Sequence, residues 1–354
     1  MYQYRMYPTR KQQKALEAVL EECRWLYNET LAYRKDAWEQ RQEHVSWYES
    51  KARIPLLKAE RPSLTHVHSQ VLQNVTERVE LALQAFFRRV REKASEPGFP
   101  QSGFSITHDD RVCLSKIGSI EMVYHRPVRG TIKTLTIHKS STGKWYASFS
   151  CEVEPLRLPE RSEQVGIDVG LLTFATLSTG EEIANPRFFR KEEKALVKVQ
   201  RKHSTLAKGT PEWHKQRKVV ARVHERIAWR RDNFTHQASR SIVDRFGVIA
   251  VEDLTVNRML HNHCLAKSIA DASWSAFFSR LTSKAAEAGR HLVKVNPAYT
   301  SQTCSQCGHR QKITLNVRIF ACPCCHVQLD RDLNAAYNIL ALGLQGGVIP
   351  EAPA

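Results

Sequence analysis

Val165-Gly-Ile-Asp-Val-Gly170 sets one acid, Asp168, inside a run that otherwise reads as a buried strand. An unpaired carboxylate is costly in such a place, so a cation is expected to face it. The pattern recurs at Val248-Ile-Ala-Val-Glu252, an apolar run that ends on Glu252. A third acid, Asp332, opens Asp332-Leu-Asn-Ala-Ala-Tyr-Asn-Ile339, which has helical character, and Ala335 and Ala336 allow that helix close to a sheet. In the first turn the helix dipole also favours negative charge.

Around the first acid, Gln164–Val169, Thr173–Leu177 and a short strand through Ile183 predict an antiparallel meander that turns at Thr179-Gly180. The strand ending at Glu252 is expected beside the first. Further on, Trp274 to Ala288 reads as a helix, His291 to Val295 as a strand and 332–342 as the last helix. Acids in the order strand, strand, helix are those of a ribonuclease H-like α/β nuclease. Asp168, Glu252 and Asp332 would supply the hard oxygen ligands that Mg²⁺ accepts. Two such ions suit in-line phosphodiester hydrolysis. Gly166 and Gly170 are expected to leave room for a phosphate. Asp253 falls on the opposite strand face from Glu252, and Asp330 reads as a helix cap. Each acid alone could be an ordinary surface group; the three together argue against that.

Five of nine cysteines crowd into residues 304–325. Cys304-Ser-Gln-Cys307 and Cys322-Pro-Cys-Cys325, fourteen residues apart, are two knuckles of a four-sulfur structural Zn²⁺ site. Cys324 leaves a second register open. His309 and His326 read as neighbours rather than ligands. Cys23, Cys113, Cys151 and Cys264 read as ordinary thiols of a reducing compartment.

The formal charge of +17 favours a polyanionic partner. Between Arg187 and Arg231 stand fifteen Lys/Arg against four Glu, an excess of +11. Lys194, Lys198, Arg201, Lys202, Arg217 and Lys218 are the candidates for nucleic-acid backbone contact. Solvation alone is the usual fate of a charged helix face, but this excess is too one-sided. Trp213, Trp229 and Phe234 are expected to pack in the core. No stretch approaches ~18 consecutive apolar residues, and the first residues are not a signal peptide, so a cytoplasmic protein without membrane contact is expected.

The N-terminal half is patterned differently. Residues 1–8 suit a short strand, and Thr9 with Gln12 forms a capping box before a helix buried through Leu16, Val19, Leu20, Cys23, Leu26 and Leu31. A second helix is expected from Ser63, with Val67, Val71, Val75, Val79, Leu83, Phe86 and Val90 on one stripe, broken at Pro97-Gly98 and Pro100. Four strands follow at Phe104–Ile106, Glu121–Tyr124, Lys133–Ile137 and Trp145–Cys151, with turns at Gly130 and Thr142-Gly143. With residues 1–8 they would form a small barrel interrupted by the helices. Pro155 to Pro159 reads as a linker, and Gly343 to Ala354 as a frayed end.

Arg5-Met-Tyr-Pro8, Cys23-Arg-Trp-Leu-Tyr-Asn28, Gly166-Ile-Asp-Val-Gly170, Val251-Glu-Asp-Leu254, Thr300 to Gly308 and Asp330 to Ile339 follow one another as they do in the TnpB family. The chain resembles these transposon-encoded RNA-guided DNA endonucleases, relatives of type V CRISPR effectors, along almost its whole length. The resemblance implies a multidomain α+β protein. A wedge β-barrel would span 1–10 and 102–157, and a helical recognition domain 11–101. A RuvC-like nuclease domain would span 158–303 and 326–354, with a zinc ribbon at 304–325. It also implies a guide RNA and double-stranded target DNA with a short adjacent motif as partners. Ser69, Gln70 and Gln73 would lie near that motif, with Gln73 a candidate contact. Asp168, Glu252 and Asp332 fall on the family's catalytic positions and the four knuckle cysteines on its zinc positions. A monomer is favoured. The alternative is a catalytically weak or inactive RNA-guided repressor, which would typically lack one acid. Two positions depart from the family: a basic segment is shortened to Gln101-Ser-Gly103, and His326 stands where glycine is usual.

Overall fold

The computed structural model describes residues 2–90, 103–107, 109–155, 157–314 and 317–345, and its chain divides into two compact units, Met1–Glu154 and Pro155–Ala354. In the first unit, β1 (Tyr2–Met6) leads into α1 (Arg10–Arg41). The Thr9–Gln12 capping box closes at 3.3 Å and 2.9 Å, which satisfies two otherwise orphaned amides. A second box, Ser46 with Glu49, starts α2 (Trp47–Ala52). Next come α3 (Ile54–Glu60), a 3₁₀ turn at Pro62–His66 and α4 (Ser69–Val90).

The helix expected from Ser63 therefore begins at Ser69, because Pro62 opens a tight turn and Val67 is extended. Its buried stripe is Leu72, Val75 and Val79, while Val71 is 40% exposed. Buried Arg34 on α1 reaches Glu80 on α4 at 2.6 Å. The side chains of Phe86 and Val90, the break at Pro97, Gly98 and Pro100, the shortened 101–102 and the end from 346 lie outside the described residues.

Strands β2 (Phe104–Ile106), β3 (Arg111–Leu114) and β4 (Gly118–Glu121) form one antiparallel sheet. The strand expected at Glu121–Tyr124 thus lies earlier, and β3 is an additional one. β5 (Thr131–Lys139) and β6 (Trp145–Glu152) pair with β1 in the order β1-β6-β5. The sheets meet where Met6 bridges Met122, around a core of Tyr4, Met6, Val112, Ile120, Ala147 and Phe149.

In the second unit, β7 (Gln164–Val169), β8 (Thr173–Leu177) and β9 (Glu182–Ala184) form the expected meander. Two long helices follow, α5 (Phe188–Ser204) and α6 (Pro211–Arg245). After β10 (Val248–Glu252) come α7 (Val256–Met259), α8 (Ala266–Ala272), α9 (Trp274–Ala288) and β11 (His291–Val295). The chain continues through β12 (Ile319–Ala321) and β13 (Gln328–Asp330) into α10 (Arg331–Gln345). The five-stranded sheet has the order β11-β10-β7-β8-β9, with β10 parallel to both β7 and β11.

Side-chain alternation decides what each sheet face carries. Val165, Ile167, Ile249 and Val251 share a core with Ile242 of α6 and Phe277 and Leu281 of α9. Ala250 points the other way, against Val295 of β11 and Ile339 of α10. Gly166 is required by that second layer: a Cβ there would lie 2.1 Å from Ala336 O and 2.6 Å from Leu340 N. The glycine admits the helix backbone, which corrects its expected role as room for phosphate.

Candidate active site and nucleic-acid surface

Asp168 is two residues beyond Gly166 and Glu252 two beyond Ala250, so both acids fall on the sheet face that α10 covers. Ala250 pairs with Gly166 and Val251 with Ile167 in parallel register, bringing the ends of the two strands together. Asp332 enters from the first turn of α10, and its Oδ2 is 4.0 Å from where a Cβ on Gly170 would stand. Burial first, then the negative charges of Glu252 and Asp332, raise Asp168 well above the ordinary carboxylate range. Arg331 and the Val169 N–H offset this only in part. Burial also pushes Glu252 up, against a hydrogen bond from the Thr300 hydroxyl. Glu252 is 8% exposed. The Arg331 guanidinium donates to Asp332 Oδ1 at 2.8 Å and 3.0 Å. Asp168 is near enough to feel both other carboxylates, though the oxygens of the three acids do not all lie within 4.8 Å of one another as the four cysteine sulfurs do; a divalent cation among them would relieve their repulsion.

The neighbouring acids take other roles. Asp330 Oδ1 accepts from the N–H groups of Asp332 and Leu333 at 2.8 Å and 3.1 Å, capping α10. Asp253 is exposed and 3.8 Å from Lys294.

The Sγ atoms of Cys304, Cys307, Cys322 and Cys325 lie within 4.8 Å of one another, a donor set compatible with a structural zinc site. Cys322 and Cys304 are buried, and exposed Cys324 lies outside the cluster. Backbone N–H groups of Cys325 and Cys324 pull the Cys322 thiol down, towards the thiolate that ligates metal, while burial and the neighbouring thiols push Cys325 up. His326 is exposed with φ +62°, a left-handed conformation that glycine adopts without steric cost.

On α5 and α6, Lys194, Lys198, Arg201, Lys202, Arg217 and Lys218 are all exposed. Glu192 is occupied by Arg230 and Arg226, and Glu193 by Lys267 and Arg190. Arg217 lies 5.7 Å from the Trp213 ring centre. Trp229 is 52% exposed, contrary to the core position expected, whereas Phe234 packs on Phe174 at 4.8 Å. Gln73 is half-buried on α4 of the first unit.

Four contributors gave little sequence signal. Buried Asp271 accepts from the Phe189 N–H at 2.9 Å and from Arg231 at 2.8 Å, capping α5 from a distant element. Thr300 holds Glu252. Asn334 and Asn338 hold the loop bearing Thr300; their spacing of four on an apolar helix was the available clue.

Residues 148–263 match the family described as a probable transposase, residues 274–339 the Cas12f1-like TNB domain and residues 1–43 a helix-turn-helix domain. The chain is 36% identical to a Streptomyces pristinaespiralis protein named "Putative RNA-guided DNA endonuclease", over 97% of this chain and 89% of that one. This chain belongs to the TnpB family. An Escherichia coli K12 relative, InsQ, carries the same description and is 28% identical over 97% of this chain and 92% of its own. A TnpB-like protein of Acanthamoeba polyphaga mimivirus is 25% identical over 96% of this chain and 72% of its own. The fold resembles Cas12f1 in a cryo-EM complex with sgRNA and target DNA, with TM-score 0.65 at 14% identity, covering 94% of this chain and 83% of that one. Here the segment matched as helix-turn-helix is a strand followed by one unbroken helix. Among the described residues, no helix is long and apolar enough to cross a membrane.

Proposed function

We propose that this TnpB-family chain is a transposon-encoded endonuclease that binds a guide RNA and cuts double-stranded DNA beside a short adjacent motif. The observation that carries the reading is the approach of Asp168, Glu252 and Asp332, from two neighbouring parallel strands and one helix, with Asp168 raised by burial and then by the other two charges. The sheet order, with an antiparallel meander and two further parallel strands, supports a RuvC-like nuclease domain in the second unit. The four-cysteine cluster is its zinc ribbon. The two-sheet core of the first unit is the wedge barrel, and α1 to α4 form the recognition domain, with Gln73 near the adjacent motif.

Asp168, Glu252 and Asp332 would hold Mg²⁺, which when bound supplies charge stabilisation and an activated water for phosphodiester hydrolysis. Arg331 holds one oxygen of Asp332, Asp330 fixes the start of its helix, and the exposed bases of α5 and α6 track a phosphate backbone. No observation favours the non-cleaving repressor.

Expressing the chain with its flanking DNA, sequencing the co-purified RNA and challenging the complex with a target library and Mg²⁺ tests the reading. A discrete RNA and breaks beside a common short motif are expected. Protein that retains no RNA and leaves every target intact would overturn it.

A further inference from the structure

Thr300 lies in the loop between β11 and the first cysteine knuckle. Its hydroxyl donates to Glu252 Oε1 at 2.6 Å, and the two residues are 5% and 8% exposed. Pro297 O is a second acceptor at 3.2 Å. A hydroxyl has one proton, and the shorter bond to the carboxylate takes it. The backbone that carries this hydroxyl is clamped from α10. Asn338 Nδ2 donates to Thr300 O at 2.8 Å and to Thr303 O at 2.7 Å. Fully buried Asn334 donates to Thr303 O at 2.8 Å and accepts from the Ser305 N–H at 2.9 Å. Asn334 and Asn338 are one helical turn apart on the element that presents Asp332. Beside the clamp stands Cys304, a member of the four-sulfur cluster.

We propose that Thr300 is a positioning residue for the metal centre. It commits one oxygen of Glu252 to a neutral donor and leaves the other for the ion, while Asn334 and Asn338 set the height of the loop from α10. One helix thereby fixes two of the three acids, Asp332 directly and Glu252 through Thr300. The inference rests on the reading of Glu252 as a metal ligand. Partners of this kind orient ligating carboxylates, and their loss typically weakens metal affinity about 10–100-fold.

The test uses zinc-loaded full-length protein without nucleic acid. Mn²⁺ binding is followed by electron paramagnetic resonance for wild type, Thr300→Val and Thr300→Ser, with zinc content and metal-free melting on the same samples. Thr300→Val should weaken Mn²⁺ by about 10–100-fold, while Thr300→Ser, which keeps the hydroxyl, should stay close to wild type. Zinc content should be unchanged in both. Wild-type affinity in Thr300→Val, or an equal loss in Thr300→Ser, overturns the proposal. Should Thr300→Val fail to fold, Asn338→Leu takes its place, and unchanged Mn²⁺ affinity there is equally contrary. A metal-free crystal structure of Thr300→Val separates this inference from the nuclease reading. The Glu252 carboxylate should have turned from its present position, and finding it unmoved overturns the inference even if wild type binds no Mn²⁺.

Discussion

Replacing Gly166 by alanine tests how the acids are brought together. The new Cβ would stand 2.1 Å from Ala336 O, 2.6 Å from Leu340 N and 2.8 Å from Leu340 Cβ, whereas ordinary contact begins at 3.4 Å. None of these atoms is the far end of a flexible side chain. Either β7 bends or α10 backs away by roughly 1 Å, since repulsion rises steeply inside contact distance. Ala336 and Ile339 are buried on that side of α10, and Gly343 already abuts Ala250. Overpacking of this kind costs about 1–3 kcal/mol, and a backbone clash belongs at the upper end. For a unit of this size each kcal/mol lowers the melting temperature by about 2–4 °C. The same shift carries Asp332 away from Asp168, and a misplacement near 1 Å can cost about 100-fold in rate. Urea unfolding and guided cleavage are measured beside Gly180→Ala, whose Cβ has nothing within 4 Å although φ is +84°. That control should lose only about 1 kcal/mol from backbone strain and keep its activity. Wild-type stability and cleavage in Gly166→Ala would refute the packing argument.

Four further outcomes follow from the same structure. Asp168 has a raised pKa in the folded state, so the metal-free fold loses stability as pH rises through the carboxylate range. Asp168→Asn should therefore melt higher than wild type at pH 7 without Mg²⁺, with the two converging towards acid; a lower melting point at pH 7 contradicts this. Cys322→Ser should lose the single zinc that elemental analysis finds in wild type, and stoichiometric zinc in that variant would count against the four-sulfur site. Changing Lys194, Lys198, Arg201, Lys202, Arg217 and Lys218 to glutamine should make the salt dependence of nucleic-acid binding shallower by roughly 0.7–0.9 per lost contact; an unchanged slope leaves them merely solvated. Asp330→Ala removes a helix cap worth about 1 kcal/mol and should cleave far better than Asp332→Ala, with the reverse order showing that the wrong acid was chosen.

What was legible in the sequence was whatever interrupts a pattern. Asp168 and Glu252 stood out as charges in apolar runs, and the strands bearing them lie where that alternation put them. The cysteine spacing led to the four sulfurs that cluster. Thr300 escaped because a threonine in a loop breaks no periodicity; its role depends on a contact 48 residues away in sequence. Asp271 escaped likewise, since it caps a helix from 82 residues away. Gly166 was visible but misread, because the sequence does not say which backbone approaches a glycine. The helices of 47–60 did carry a signal, the Ser46–Glu49 capping box, and the valine repeat beginning at Val67 drew the helix start too early. Val71 belongs to that repeat yet faces solvent, as Leu72 and Val75 already fill the interface with α1.

The decisive measurement is target cleavage by RNA-loaded Asp168→Ala beside wild type in Mg²⁺, with DNA binding followed on the same samples. Cleavage should fall by more than about a thousandfold, while guided binding stays within a few-fold because the acid holds metal rather than the duplex. Cleavage at the wild-type rate would contradict the account.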